Sequence, residues 1–164
     1  MKILVSSCLL GEDVKYDGTN SSIALNPKFS FSSKELFMDI LCENEIYSFC
    51  PEVAAGLPIP RIPAEIVKRD KPFIVQNENK EDVTINFLLG AKKAFDLCKE
   101  ENIKVALFKS KSPSCGNGQI YDGTFSKTLI DGFGLTAKLL KENGIEVFNE
   151  KELKELAKFI KTNK

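Results

Sequence analysis

The chain has 164 residues, 43% of them hydrophobic, with 7 prolines, and its 23 lysines and arginines are matched by 23 aspartates and glutamates. That length and apolar fraction fit one compact domain over residues 1–164, large enough to bury a full core, and the missing basic surplus disfavours a polynucleotide partner. The absence of histidine removes Ser-His-Asp and Cys-His catalysis, imidazole metal ligation and the usual neutral-pH base.

The N-terminal MKILVSSCLLG runs straight into Glu12-Asp13, with no small-residue cleavage site and no apolar span of membrane-crossing length. A cytoplasmic protein with no membrane segment is expected. Lys2 to Ser6 reads as a first strand. Ser32-x-x-Glu35 reads as a capping box opening a helix whose Leu36, Phe37, Ile40 and Leu41 share a face and which ends near Asn44. Glu45 to Phe49 is a second strand. Pro51 and the run Leu57-Pro58-Ile59-Pro60-Arg61-Ile62-Pro63 predict an extended, non-helical connection. Ile66-Val67 and Phe73 to Val75 predict a small hairpin. From Thr84 to about Glu101, the spacing of Phe87, Leu88, Ala91, Ala94, Phe95 and Cys98 predicts an amphipathic helix. Ile103 to Phe108 then alternates as a third strand, followed by a glycine-rich loop. Leu135 to Glu142 is a helix stopped by Asn143-Gly144, Ile145 to Phe148 a fourth strand, and Asn149-x-x-Glu152 a cap for a last helix to about Lys161.

Strands alternating with long helices predict the α/β class: a single-domain, mostly parallel, Rossmann-like sheet flanked by helices, with a small hairpin insertion. Ligands of such folds bind outside the carboxyl ends of the strands. Cys8 follows strand one, Cys50 strand two and Cys115 strand three, so all three are expected at one edge of the sheet. Cys42 and Cys98 lie within amphipathic helices, where cysteine is an ordinary core or helix-surface residue. Five cysteines without an export signal argue for thiols or metal ligands over a disulfide framework.

Three converging thiols leave several readings open: loop thiols brought together by topology alone, zinc on three thiolates with an open position, or an iron–sulfur cluster with one iron lacking a protein ligand. The chain has neither the C-x₂₋₄-C knuckle of a structural zinc site nor the close cysteine run of a ferredoxin. A second pattern bears on the same residues. Ser7-Cys8-Leu9-Leu10-Gly11 leads to Tyr16-Asp17-Gly18-Thr19, and Ser114-Cys115-Gly116-Asn117-Gly118 leads to Tyr121-Asp122-Gly123-Thr124. Either two similar strand–Cys–loop–turn units flank the site, or Asp-Gly turns simply recur.

VSSCLLG, KYDG, CPEVAAGLPIPRIPAEI, DVT, KSPSCG and IYDGTFS, in that order, resemble the 2-thiouracil desulfidase (TudS) family over roughly residues 3 to 148. Lys15 stands where arginine is common in the family. The resemblance implies a [4Fe-4S]-dependent desulfidase with a cluster held by Cys8, Cys50 and Cys115 and one iron not ligated by protein. It implies a small thiolated nucleobase as substrate and a non-redox hydrolysis of C=S to C=O with release of hydrogen sulfide. The chemistry is coherent, since an open iron prefers a soft thiocarbonyl sulfur and polarises the C–S bond.

Glu52, two residues after Cys50, and Ser112, three before Cys115, are the expected catalytic helpers, and the resemblance points at both. Glu52 would carry the proton, its neutral form favoured by a negative thiolate cluster; the plain alternative is a solvated loop carboxylate. Ser112 would hold a heteroatom or relay the proton; its alternative is a turn hydroxyl. Lys109 and Ser114 are candidates for ordering substrate oxygens, and Arg61 is expected to tie the proline loop to a carboxylate such as Glu65. Rival functions are a cysteine-ligated metal or redox sensor without turnover, a zinc hydrolase, and a sulfur enzyme acting on thiolated tRNA, which would bind with strong salt dependence.

Overall fold

The computed structural model of the chain describes residues 1–163. Four strands, β1 (Lys2–Ser6), β2 (Glu45–Phe49), β5 (Val105–Phe108) and β8 (Glu146–Asn149), form a parallel sheet in the order β2-β1-β5-β8. Pairing runs Ile3↔Ile46 on one side of β1 and Ile3↔Val105 on the other, and Val105↔Glu146 at the far edge. β5 is apolar throughout and β1 is apolar from Ile3 to Val5, because both faces are covered. Ile3, Val5, Val105 and Leu107 pack with Phe37, Ile40, Leu156 and Ile160 of α1 (Phe31–Glu43) and α5 (Leu153–Thr162). Leu4, Ala106 and Phe108 face the opposite layer, Ala94 and Cys98 of α3 (Thr84–Glu100) with Ala137 and Leu140 of α4 (Leu135–Glu142). The α/β architecture with a central parallel sheet between helix layers is thus the expected one.

The order β2-β1-β5 reverses direction at β1, so the crevice between the carboxyl ends of β1 and β5 is the topological switch point of the sheet. That is where open α/β sheets take their ligands. Two antiparallel hairpins hang over this edge: β3 (Ala64–Lys68) with β4 (Ile74–Asn77), the expected insertion, and β6 (Asn117–Tyr121) with β7 (Leu129–Phe133). The second replaces the loop expected after the third strand.

Other expectations shift at element ends. Pro51–Ala54 form one helical turn, α2, rather than an extended segment, because a proline at the first helical position has no amide to satisfy and a preset φ. Its contact with α3 is close: a Cβ on Gly90 would lie 2.3 Å from the Pro51 carbonyl oxygen. Residues 57–63 form neither helix nor strand and bend at Ile59-Pro60. The cap of α1 is Ser30, whose hydroxyl accepts the Ser33 N–H at 3.2 Å, not Ser32. Asn149 N–H does bond the Glu152 carboxylate at 2.8 Å, but the helix begins at Leu153 with Glu152 itself at the cap position. Among the described residues no helix is long and apolar enough to cross a membrane.

Candidate active site

The three strand-end cysteines line one cavity of about 730 Å³, together with Glu52, Lys109, Ser112 and Ser114. Cys8 sits in a single 3-10 turn (Ser7–Leu10) that β1 enters directly, with Leu9 driven into the core and Gly11 closing the turn at φ 100°. That left-handed φ suits glycine. The Cys8 carbonyl is fixed by the Ser21 N–H at 2.8 Å. Cys50 caps α2, and its carbonyl accepts the Ala54 N–H at 2.9 Å.

Cys115 lies in a loop organised by Ser112. The Ser112 hydroxyl oxygen accepts the N–H groups of Ser114 at 3.2 Å and Cys115 at 3.1 Å, and shares a 2.9 Å bond with the Ser114 hydroxyl. The Ser112 carbonyl accepts the Gly116 N–H at 2.8 Å. Ser114 is buried, its hydroxyl 3.9 Å from Cys115 Sγ, and its carbonyl receives N–H groups from the first turn of α4. The loop is therefore sewn to a helix and to its own amides. Its register against β1 is set by the Ser6 hydroxyl, which accepts the Lys109 N–H at 3.0 Å.

The thiols feel their burial and one another. Desolvation pushes the Cys8 thiol up to about 12, with the Cys50 charge adding to it. Desolvation also raises Cys50 and Cys115, and Cys50 and Cys8 both repel charge on Cys115. Two buried thiols and the half-buried Cys50, all disfavouring charge, hold thiolate form only against a positive partner. Cys98 is buried beneath α3 and Cys42 is exposed on α1, both outside the cavity lining.

Glu52 is not a free loop carboxylate. Arg61 Nη2 meets its Oε2 at 2.5 Å, with side chains only 7% and 15% exposed. Arg61 was expected to reach Glu65; instead Glu65 Oε2 accepts the N–H groups of Gly123 at 2.9 Å and Phe125 at 3.1 Å. The Lys109 ammonium is held by Glu150 Oε1 at 2.6 Å, and the other Glu150 oxygen accepts the Ser110 N–H at 2.8 Å. Sequence reasoning passed over Glu150, although its place directly after the fourth strand puts it at the ligand edge.

The two Tyr-Asp-Gly-Thr turns share their internal bonding. Asp17 Oδ1 accepts the Thr19 N–H at 3.1 Å and hydroxyl at 2.6 Å, and Asp122 Oδ1 accepts those of Thr124 at 2.9 and 2.6 Å. Tyr16 and Tyr121 both line the same cavity.

The family model of 2-thiouracil desulfurase matches residues 3–152. The chain belongs to that family. This desulfurase-family chain is 42% identical to a solved [4Fe-4S]-dependent thiouracil desulfidase, TudS, with a TM-score of 0.83 over 98% of each chain. It is also 38% identical over 160 residues to the uncharacterised protein YbbK of Bacillus subtilis (strain 168), covering 94% of this chain and 99% of that one.

The donor set of this family member fits an iron–sulfur cluster. All three donors are soft thiols, and each is carried on a hydrogen-bonded turn facing one cavity. Among the described residues, no three histidine, cysteine, aspartate or glutamate side chains gather tightly enough for a single metal ion. A cluster asks less of them, since its cysteines each bind a different iron.

Proposed function

We propose that this chain is a [4Fe-4S]-dependent desulfidase, one domain over residues 1–164, that hydrolyses the C=S group of a thiolated pyrimidine of the 2-thiouracil type. Thiocarbonyl and water give carbonyl and hydrogen sulfide, with no net oxidation or reduction. The observation that carries this reading is the convergence of three thiols from three separate strand ends on one cavity that also holds a carboxylate and a serine pair. Cys8, Cys50 and Cys115 hold the cluster and leave one iron without a protein ligand. When bound, it supplies an open Lewis acid that prefers the substrate sulfur and polarises the C–S bond.

Glu52 takes a proton from the attacking water at Oε1 and returns one to the ring, while Arg61 keeps Oε2 occupied. Its place two residues after Cys50, in the same cavity lining, supports that role. Ser112 and Ser114 present a bonded pair of hydroxyls that can order a ring heteroatom and relay its proton. Lys109 adds a positive charge whose place is fixed by Glu150, so it orders a substrate oxygen as a held ammonium. The flat apolar neighbours, Phe49 and Phe87 among the lining residues, limit water beside the reacting carbon. The cytoplasm, where free thiols stay reduced, is the compartment this chemistry needs.

Protein purified without oxygen should be brown, contain iron and sulfide, and convert 2-thiouracil to uracil with one hydrosulfide released per turnover and no added reductant. In ¹⁸O-labelled water the new carbonyl should carry the label. Unlabelled uracil, or turnover that stops without a reductant, would sink the hydrolytic reading.

A further inference from the structure

The geometry points to Arg61 as a positioning residue that holds Glu52 in its working orientation, an inference that rests on reading Glu52 as the proton carrier. One guanidinium joins three segments around the cavity. Its Nη2 meets Glu52 Oε2 at 2.5 Å and the Val14 carbonyl at 2.9 Å, Nη1 reaches the Pro58 carbonyl at 3.3 Å, and the Arg61 N–H donates to the Tyr16 carbonyl at 2.7 Å. It thus ties the segment that follows Cys8, the turn that follows Cys50 and its own proline loop.

A glutamate on a helical turn has three rotatable bonds, and in a wide cavity nothing else of comparable strength would restrict them. Among the described residues Glu52 Oε1 accepts no hydrogen bond, so the contact with Arg61 fixes the side chain by one oxygen and leaves the other for proton exchange. Exposed pairs of this type count for little. This one is sheltered, with the guanidinium only 7% exposed, so losing the partner leaves a poorly solvated charge to find a new rotamer. Prolines at positions 60 and 63 brace the arginine's own backbone, which makes the fork a fixed reference.

The test is a double-mutant cycle of Arg61→Gln with Glu52→Gln on the cluster-loaded protein. Arg61→Gln should keep parental iron content and a KM for 2-thiouracil within a few-fold, while kcat falls roughly 10- to 100-fold, the scale of a misplaced reacting group. Arg61→Lys should recover part of that loss, because an ammonium keeps the charge and gives up the fork. In the Glu52→Gln background, Arg61→Gln should cost no further kcat. The metal-free proteins give a second reading: Arg61→Gln also gives up the Val14 and Pro58 carbonyls and should lower the unfolding midpoint more than Glu52→Gln, while the double variant should fall short of the sum of the singles, since the shared ion pair is lost only once.

Additive losses in either measurement would make Arg61 a loop brace acting independently of Glu52 and overturn the inference. Parental kcat in Arg61→Gln beside a slow Glu52→Gln would overturn it as well, with the proton carrier standing. A parental kcat in Glu52→Gln itself would remove the proton carrier, and the inference with it.

Discussion

Glu150, at the end of β8, grips the loop that leaves β5 by three bonds: the Lys109 ammonium and the Ser110 hydroxyl at 2.6 Å each, and the Ser110 N–H at 2.8 Å. Burial alone would push the Glu150 carboxyl up; the Lys109 charge and the bonds from Lys109 and Ser110 outweigh it and hold the group below its usual value. A depressed folded pKa stabilises the fold above the unfolded value and loses that effect as pH falls through the folded one. Glu150→Gln should therefore cost on the order of 2 kcal/mol near neutral pH, the scale of hydrogen bonds to a charged group. The gap between parent and variant should close as pH falls from the ordinary glutamate value, about 4.3, and on through the lower folded one. Urea unfolding of the metal-free proteins across that range checks it, and a gap that widened in acid would reverse the assigned sign.

Serine in place of Cys8, Cys50 or Cys115 should each strip or cripple the cluster, because an alcohol is a poor soft ligand. Cys42→Ala, on an exposed stretch of α1, should change nothing measurable. Cys98→Ala should keep iron and lose about 1 kcal/mol for the small void left in the core. Iron content after anaerobic reconstitution, with melting curves for the two helical variants, separates the classes; full iron in any of the first three would remove that residue from the ligand set.

Glu52→Gln should retain iron, sulfide and thiouracil binding yet turn over about 10²- to 10⁴-fold more slowly, the range for a positioned acid–base group. Single-turnover kinetics on the loaded protein give the number. Turnover within a few-fold of the parent would mean that another residue carries the proton.

Ser112→Ala removes the acceptor for two loop amides, those of Ser114 and Cys115, as well as the proposed relay. Turnover should fall about 100-fold, the lower end of the range for such a group, with the cluster still loadable, and Ser112→Thr should recover most of it. Equal rates in parent and alanine variant would leave Ser112 as a turn hydroxyl only.

Gly90→Ala should invert the usual rule for helix interiors. Replacing glycine with alanine in a helix normally stabilises by roughly 0.5–1 kcal/mol. Here the new methyl would lie 2.3 Å from the Pro51 carbonyl, so overpacking of about 1–3 kcal/mol is expected instead. Cys50 precedes Pro51, so iron retention should drop in the same variant. A stabilised, fully loaded Gly90→Ala protein would show that the turn has room to slide.

The sheet and the gathering of the three cysteines were legible because β1 and β5 are short strands with apolar cores, Ile3 to Val5 and Val105 to Phe108, and a cysteine just past a parallel strand or in the loop that leaves it lies at the carboxyl edge of the sheet. The hairpin of β6 and β7 was not, since Gly116, Gly118 and Gly132 read as loop and its pairing, Gln119↔Asp131 for example, shows no apolar alternation. Gly116 is needed there for packing: a Cβ would lie 2.4 Å from the Ser112 carbonyl. The cap of α1 slipped because Ser30, Ser32 and Ser33 are interchangeable in local code. Arg61 took Glu52 over the nearer-in-sequence Glu65 because the hairpin turns Glu65 toward Gly123 and Phe125. A charge at a strand end reads as solvated in sequence, which hid Glu150; only the packing of β8 beside β5 makes it an interior clasp.

The two hairpins above the sheet lean on each other as well as on it. Glu65 of one bonds the Gly123 and Phe125 amides that come after the other's first strand, and Arg69 donates to the Asp122 carbonyl at 2.9 Å. The canopy over the cavity therefore has its own fastenings, while the thiols hang from the frame of strands below. A lineage can reshape or lengthen the canopy and so change which molecules enter, without retuning the frame. Divergence among relatives in what they admit should accumulate in residues 67–77 and 127–133, outside the motifs shared with the family, and drift in the frame should be felt at all three thiols together.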